Sequence, residues 1–266
     1  MPSVEAANPR FNSKVPSIAR IYDYWLGGKD NFEADRRVGD LVLQNDPGVA
    51  FSVRANRVFL ARVVRYLVTE AGIRQFLDIG TGLPAADNTH EVAQGLSPDC
   101  RIVYVDNDPV VLSHAQALLT STPEGKCAYL DADLRDPASI LAEAAKTLDF
   151  GRPIAVMLIA ILHWLPDEAD TRRIVSELMD AVPAGSYLAL SHVARDVNAE
   201  VRAETGGRVG QLMKPPTFRD RAEVSRYFDG LELVDPGVVL VSDWRPSSEL
   251  EARSPAYLWS GVAKKA

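Results

Sequence analysis

The stretch Gln75-Phe-Leu-Asp-Ile-Gly-Thr-Gly-Leu-Pro84 decides the fold of this chain. It is a short apolar run that ends in an acid and two glycines. The run Arg101-Ile-Val-Tyr-Val-Asp-Asn-Asp108 is a second apolar segment that ends in acids. In open α/β sheets, nucleotides bind in the crevice at the carboxyl ends of neighbouring parallel strands. The two runs therefore predict a nucleoside site, in which Asp106 accepts hydrogen bonds from ribose hydroxyls.

Apolar runs and helix-like segments alternate from residue 74 onward. The strand-like runs are 75–79, 101–106, 126–131, 154–161 and 185–192, and the helix-like segments are about 86–95, 109–121, 137–148 and 168–181. This alternation predicts a parallel sheet with crossover helices. Two last strands, about 231–241 and 256–263, have no convincing helix between them and should pair antiparallel. The expected fold class is a Rossmann-like α/β sheet of seven strands, five parallel and a terminal antiparallel pair.

The segment before the first strand has a different pattern. Residues 1–16 are a polar arm with three prolines, and three helices are predicted to follow, over about 17–26, 32–43 and 51–71. Glycines or a Pro-Gly pair end each of them, as expected at helix termini. The predicted domains are therefore an N-terminal arm with a helical cap (1–72) and a core (73–266).

Composition excludes several classes of protein. The 266 residues are 47% hydrophobic, enough for a sizeable core, and the formal net charge is -7. An acidic chain is a poor partner for phosphate backbones, so no nucleic-acid partner is expected. Residues 154–162 form the longest apolar run, about half a membrane span, and the N-terminus has no signal-peptide core. We expect a cytoplasmic protein with no membrane partner and no metal site. The sequence does not reveal the oligomeric state.

The glycine loop leaves two candidate ligands. Gly80, Gly82 and Ala85 fit the G-x-G-x-x-A spacing of dinucleotide sites, but this motif alone is a weak signal. Asp78 would repel a pyrophosphate, and Pro84 delays the start of the next helix. S-adenosylmethionine carries an ammonium and a sulfonium instead, which a carboxylate favours. The loop therefore favours this methyl donor over a nicotinamide dinucleotide.

Acids after the next strands extend the donor site. Asp133 is predicted to accept the adenine amino hydrogens, with the Leu134 backbone N–H at a ring nitrogen. Asp131 and Asp136 are alternatives for this role. Asn107 is predicted to contact adenine through its backbone. Asp106 has the alternative role of a helix N-cap.

Several blocks carry a resemblance to a known family. The most specific is Ser17-Ile-Ala-Arg-Ile-Tyr-Asp-Tyr-Trp-Leu-Gly-Gly-Lys-Asp-Asn-Phe-Glu-Ala-Asp35, and the later ones are Arg54-Ala-Asn-Arg57, Gly82-Leu-Pro84, His90-Glu-Val-Ala93 and Leu162-His163. Over residues 10–265 the chain resembles the actinobacterial S-adenosyl methyltransferase family once labelled a domain of unknown function, within the class I S-adenosylmethionine-dependent methyltransferases. The resemblance implies a donor site covered by a helical lobe and leaves the methyl acceptor undefined. The chain lacks the third glycine of the common class I motif.

The lobe and the loops supply further candidates. Tyr22 is predicted to contact the donor, with a buttress on the sheet edge as the alternative. Arg57 is a candidate for holding the donor's carboxylate, as is Arg20. His90 is predicted near the donor's methionine tail. His163 is the candidate general base, with a pKa near neutrality, or alternatively a structural histidine that orients its loop.

These observations predict a methyltransferase that uses S-adenosylmethionine and releases S-adenosylhomocysteine. Its acceptor is expected to be a small molecule that the sequence does not identify. The alternative is a protein that binds or senses the donor without turnover. Methyl transfer mostly needs alignment, since the sulfonium is already activated. The absence of an obvious set of catalytic residues therefore does not distinguish a methyltransferase from a protein that only binds the donor.

Overall fold

The computed structural model describes residues 11–118, 120–252 and 256–266. Residues 1–10 of the predicted arm lie outside this part of the chain. Within it, eight strands form one sheet. In chain order they are β1 (Gln75–Ile79), β2 (Arg101–Asp106), β3 (Lys126–Asp131), β4 (Ala155–Ile159), β5 (Tyr187–Val193), β6 (Glu232–Leu233), β7 (Val239–Leu240) and β8 (Leu258–Lys264).

The strand order is β3-β2-β1-β4-β5-β8-β6, with β7 also paired to β8. The first five strands are parallel, as predicted, and β1 pairs with β2 on one side and with β4 on the other. Phe76 is thus opposite Ile102 and Ala155. The chain reverses its direction of winding at this point, so a crevice opens beyond the carboxyl ends of β1, β2 and β4. β8 runs antiparallel to β5, with Leu190 opposite Gly261.

The carboxyl-terminal part of the sheet differs from the predicted pair of strands. The run 231–241 is divided into β6 and β7, which pair with opposite ends of β8. Pro236 lies between them, and proline lacks the N–H that a continuous ladder requires. The connection to β8, predicted without a helix, contains a single turn at Glu249–Ala252.

Helices cover both faces of the sheet. They are α1 (Ile18–Leu26), α2 (Glu33–Asn45), α3 (Val49–Thr69), α4 (Thr89–Leu96), α5 (Pro109–Leu118), α6 (Pro137–Ala144), α7 (Glu168–Asp180), α8 (Ala199–Val209), α9 (Arg221–Ser225) and α10 (Glu249–Ala252), with 3₁₀ turns at Leu162–Trp164 and Arg226–Phe228. None of the described helices is long and apolar enough to cross a membrane.

The N-terminal helices divide between the sheet and a lobe. α3 places Phe59, Val63 and Leu67, all fully buried, against one face of the sheet, at the helical spacing that the sequence predicts. α1 and α2 pack instead on α8 and the first turns of α3, through a smaller apolar cluster that includes Ile21 and Val42. This lobe covers the carboxyl ends of the strands. The division of the chain at residue 72 stays a prediction.

Candidate functional site

A cleft of about 740 Å³ lies at the carboxyl ends of β1 to β4, beneath α1 and residues 11–17. We call it the donor cleft. The predicted site residues that line it are Asp78, Gly80, Gly82, Asp106, Asn107, Asp133, Leu134, Tyr22 and Arg57. The fold thus brings together acids from three successive strand ends and two side chains from the helices above them.

The glycine loop follows β1 and is tied to β2. Gly80 and Gly82 have φ angles of +77° and +65°, the left-handed region that favours glycine. A Cβ on Gly80 would lie 2.6 Å from the Ile161 side chain, whereas a Cβ on Gly82 would meet no atom within 4 Å. The loop therefore packs against the protein at Gly80 and faces open space at Gly82, where backbone can approach a ligand.

Gly82→Ala should destabilise the protein by about 1 kcal/mol, because the side chain fits the space but not the left-handed backbone. Gly95→Ala is the matched control, since a Cβ there also meets open space and its helical backbone suits alanine. Urea unfolding of the two variants gives the comparison. Equal changes in their free energies of unfolding would contradict the conformational role of Gly82.

Asp106 fixes the loop and is not the helix cap. Its Oδ2 accepts the Gly82 N–H at 2.9 Å and its Oδ1 accepts the Asp108 N–H at 3.0 Å. Asp108 instead caps α5, because its Oδ1 accepts the Val110 N–H at 2.8 Å. Burial raises the pKa of Asp106, and the two backbone hydrogen bonds oppose this. The residue that caps α5 is therefore Asp108 and not Asp106.

Asp78 is buried at the end of β1. Its Oδ2 accepts a hydrogen bond of 2.6 Å from the Thr89 hydroxyl at the start of α4. Burial raises its pKa to about 6, against the smaller opposing effects of Thr89 and Arg57. When burial disfavours the ionised form of a carboxyl group in the free protein, a cationic group of a ligand stabilises that form strongly.

Asp133 is the one of its three neighbouring acids that lines the cleft. Its Oδ1 accepts from Arg135 Nε at 2.9 Å and its Oδ2 from Asn107 Nδ2 at 3.4 Å. The Arg135 hydrogen bonds lower the pKa of Asp133, so it is ionised. Asp136 caps α6 through the Ser139 N–H, and Asp131 is exposed outside the cleft.

A hydrogen-bonded chain connects the lobe to the strand ends. The Asn56 amide donates to the Tyr22 hydroxyl at 3.0 Å, and this hydroxyl donates to the Val53 carbonyl at 3.1 Å. The Asn56 carbonyl oxygen accepts from the Ser191 hydroxyl at 2.6 Å. Ser191 Oγ in turn accepts the Ala160 N–H at 3.0 Å. Tyr22 is therefore held in place above the cleft, by groups from α3 and β5.

Ala160 follows β4 with a φ of +56°, which is unusual for a residue other than glycine. Strained backbone of this kind concentrates at functional sites. The sequence did not point to Ala160 or Ser191, because an alanine or a serine near the end of a strand does not indicate an unusual backbone conformation or a chemical role.

The two predicted arginines have different environments. Arg57 Nη2 donates to the Ala86 carbonyl at 2.9 Å, and its Nε is buried with no hydrogen-bond partner among the described residues. Arg20 is enclosed in the lobe, 3.5 Å from both Asp35 and Asp108. Both arginines line the cleft, but Arg20 is already paired with two carboxylates, whereas no carboxylate of the described residues forms an ion pair with Arg57.

Rings and backbone further hold Arg20. Its guanidinium lies 5.5 Å from the centroid of Phe11 and 5.3 Å from that of Phe32, within range of cation–π attraction. Its Nη2 donates to the Val15 carbonyl at 2.9 Å. Arg20 therefore anchors residues 11–17 over the cleft.

His90 lies outside the lining of the cleft. Its ring Nδ1 is 2.8 Å from the Tyr104 hydroxyl, which also accepts the His90 N–H at 2.7 Å. Burial lowers the pKa of His90. Its contacts hold α4 against β2 and do not reach the cleft.

His163 lines a second cavity, of about 120 Å³, which we call the apolar cavity. The two cavities share the wall residues Ile18, Tyr22, Ala160, Trp164 and Met213. Burial, with help from His192 and Arg219, lowers the pKa of His163 well below its ordinary value. The predicted base with a near-neutral pKa does not fit this environment, because the imidazole is neutral throughout the physiological range.

A buried network that the sequence did not reveal supports the His163 loop. The Arg219 guanidinium donates to the carbonyls of Leu162 at 3.4 Å and Leu165 at 3.0 Å, and pairs with Glu168 at 2.5 Å. It also donates to His192 Nε2 at 2.8 Å, and burial lowers the pKa of His192 to about 3. This network fixes the loop between the two cavities. Arg219 lies more than 50 residues from the loop in sequence, so no local pattern marks it.

Known proteins are similar to this chain in both sequence and structure. A family model described as S-adenosyl methyltransferase matches residues 4–266. The solved structure of a DUF574 family protein from Streptomyces avermitilis MA-4680 is 44% identical, with a TM-score of 0.92, over 96% of this chain and 99% of that one. A candidate methyltransferase from Thermobifida fusca YX is 41% identical, with a TM-score of 0.87, over 95% and 96%.

More distant similarity concerns the fold alone. The N-methyltransferase NodS from Bradyrhizobium japonicum WM9, solved with S-adenosyl-L-homocysteine, is 14% identical, with a TM-score of 0.50, over 92% of this chain and 98% of that one. Among curated proteins, none matches the chain.

Proposed function

The chain belongs to the S-adenosyl methyltransferase family and takes S-adenosylmethionine as its methyl donor, and from this premise we propose that its acceptor is a small molecule bound beside the donor cleft. The observation that carries the proposal is the apolar cavity, which shares one wall with the cleft and lies under the lobe. A cavity of about 120 Å³ has room for a small molecule and not for several units of a polymer chain.

The donor cleft fits S-adenosylmethionine in its chemistry. The side chains of Asp78, Asp106 and Asp133 line a cleft that has room for a nucleoside. The open space at Gly82 lets a ligand approach the backbone of the glycine loop. We assign the ribose to Asp106, and the adenine to Asp133, Asn107 and the Leu134 backbone.

The remaining groups would hold the methionine part. Asp78 is placed for the ammonium and Arg57 for the carboxylate, while Tyr22 lies between the cleft and the apolar cavity. When bound, the donor supplies a methyl group on a positively charged sulfur. The protein's contribution is then to align this methyl group with the acceptor and to exclude water, for which the lobe and the rigid wall at Ala160 are suited.

Calorimetric titration with S-adenosylmethionine tests the donor site through Asp78. Because burial raises the Asp78 pKa to about 6, the carboxyl is mostly protonated in the free protein at pH 5 and ionised at pH 7. A cationic donor group favours the ionised form, so the Kd should fall about tenfold between pH 5 and pH 7. Asp78→Asn should remove most of this pH dependence.

The stability of the free protein should show the opposite trend. The folded-state pKa of Asp78 is raised above the ordinary 3.8, so its ionisation opposes folding. Stability should therefore fall as the pH rises from about 4 to about 6, and Asp78→Asn should flatten this slope.

A pH-independent Kd in the unaltered protein would exclude Asp78 from the donor site. Donor binding with no methyl transfer to any supplied acceptor would favour the non-catalytic alternative.

A further inference from the structure

The apolar cavity has the size of a single ring. Its volume of about 120 Å³ is close to the ~150 Å³ of a buried apolar cavity that binds benzene. Its walls come from α1, α2, α3 and α8, from the end of β5 and the start of β8, and from the segments that follow β4 and α8. Five of the lining side chains are those of tyrosine, tryptophan or phenylalanine. They are Tyr22, Trp25, Trp164, Phe218 and Tyr257. An occupant that fills this space must be compact, and a flat ring packs well on such walls.

The charges around the cavity limit the occupant further. Of the described residues that line it, one carries a carboxylate, Asp46, and none is a lysine or arginine. The neutral state of His163 adds no positive charge. A carboxylate or phosphate on the occupant would be buried without a counter-charge, which is strongly unfavourable. The cavity therefore disfavours anions.

Polar atoms of three residues that line the cavity lack hydrogen-bond partners. His163 Nδ1, Thr205 Oγ1 and Trp164 Nε1 are buried, and none of them has a partner among the described residues. Such atoms are rare in folded proteins, and each costs free energy until a partner is supplied. One hydroxyl group donates one hydrogen and accepts others, so it suits a neutral imidazole nitrogen together with a threonine hydroxyl or an indole N–H.

On the basis of the proposed function, we propose that the apolar cavity binds the methyl acceptor, and that this acceptor is an uncharged single-ring aromatic molecule with one hydroxyl group. His163 then accepts the hydrogen bond of this hydroxyl in the tautomer that carries its own hydrogen on Nε2. His163 precedes Trp164, one of the wall residues that the two cavities share, so this assignment puts the hydroxyl at the side of the cavity next to the donor cleft. His163 and Thr205 become contacts of the acceptor.

Calorimetry on the protein saturated with S-adenosylhomocysteine tests this proposal. The probes are 4-methylphenol and 4-hydroxybenzoate, which share the ring and the hydroxyl and differ in the charge of the second substituent. We expect 4-methylphenol to bind at least tenfold more tightly. Equal affinities, tighter binding of 4-hydroxybenzoate, or no binding of 4-methylphenol would overturn the proposal.

Two variants of α8 locate the probe. Val209 is buried in the cavity wall, so Val209→Phe should abolish binding of 4-methylphenol and leave the affinity for S-adenosylhomocysteine unchanged. Val201 is exposed on the same helix, and Val201→Phe is the matched control, with no effect on either ligand. Binding of 4-methylphenol that survives Val209→Phe would place it elsewhere.

Thr205→Val keeps the side-chain shape and removes the hydroxyl. It should weaken 4-methylphenol binding about fivefold, the effect of one net hydrogen bond. Unchanged affinity in Thr205→Val would remove Thr205 from the acceptor site. Failure of S-adenosylhomocysteine to bind the unaltered protein would instead contradict the proposed donor site, so the two failures are distinguishable.

Discussion

Replacing Asp106 with alanine should weaken the binding of S-adenosylmethionine about 10- to 100-fold. In the proposed donor site the variant loses the acceptor for the ribose hydroxyls, and the lost hydrogen bonds to a half-buried carboxylate are worth about 1–3 kcal/mol. It also releases the Gly82 and Asp108 N–H groups, both within 3.0 Å of this carboxylate. Calorimetric titration with the donor gives the magnitude.

A comparison of adenosine with 2′,3′-dideoxyadenosine separates the ribose contact from the effect on the loop. The unaltered protein should prefer adenosine, and Asp106→Ala should bind both nucleosides equally. Asp131→Asn is the matched control, because Asp131 lies opposite Asp106 in the β2–β3 register but is exposed outside the cleft. A preference for adenosine that survives in Asp106→Ala would exclude this residue from the ribose site.

Asp35→Ala should lower the free energy of unfolding by about 3 kcal/mol. Asp35 is fully buried and accepts the N–H groups of Ser17 and Phe32, each at 2.8 Å. It also lies 3.5 Å from the buried guanidinium of Arg20. Removal of one partner of a buried ion pair leaves a charge that is poorly compensated, which is strongly destabilising. Asp108 remains beside Arg20 and keeps the loss at the lower end of the usual range.

Urea unfolding measures this loss, and Asp40→Ala provides the control on the same helix. Asp40 is exposed and accepts one hydrogen bond of 2.6 Å from the Tyr24 hydroxyl, so its removal should cost less than about 1 kcal/mol. Similar losses in the two variants would show that the Arg20 network does not stabilise the lobe.

The parallel part of the sheet could be predicted because its strands are apolar runs that end in turn residues. Strand β4 is buried on both faces, and the apolar composition of the run that contains it reflects this directly. The divided strands β6 and β7 could not be predicted, since each has only two residues and depends on β8 for its pairing. Such short segments have no periodicity of their own.

The acids of the donor cleft were predictable for a similar reason. Asp78, Asp106 and Asp133 each stand at the end of a strand or just beyond it, and the topology of a parallel sheet collects these positions at one edge. The environment of a side chain, in contrast, could not be predicted from the sequence. His163 follows β4 as expected, yet its pKa is lowered by burial, with smaller effects of His192 and Arg219, and all three depend on the tertiary fold. The enclosure of Arg20 by Asp35 and Asp108 is likewise a property of the packed lobe.

The left-handed backbone at Ala160 constrains how this protein can diverge. A valine, isoleucine or threonine at this position would meet a conformation that β-branched residues rarely adopt, so the wall between the two cavities cannot easily grow bulkier. If the apolar cavity binds the acceptor as proposed, a change in acceptor size requires changes on the helical side, at positions such as Val38 and Val209. Directed evolution toward new acceptors should therefore start from the lobe and α8. The strand ends, which form the proposed donor site, should be left unchanged.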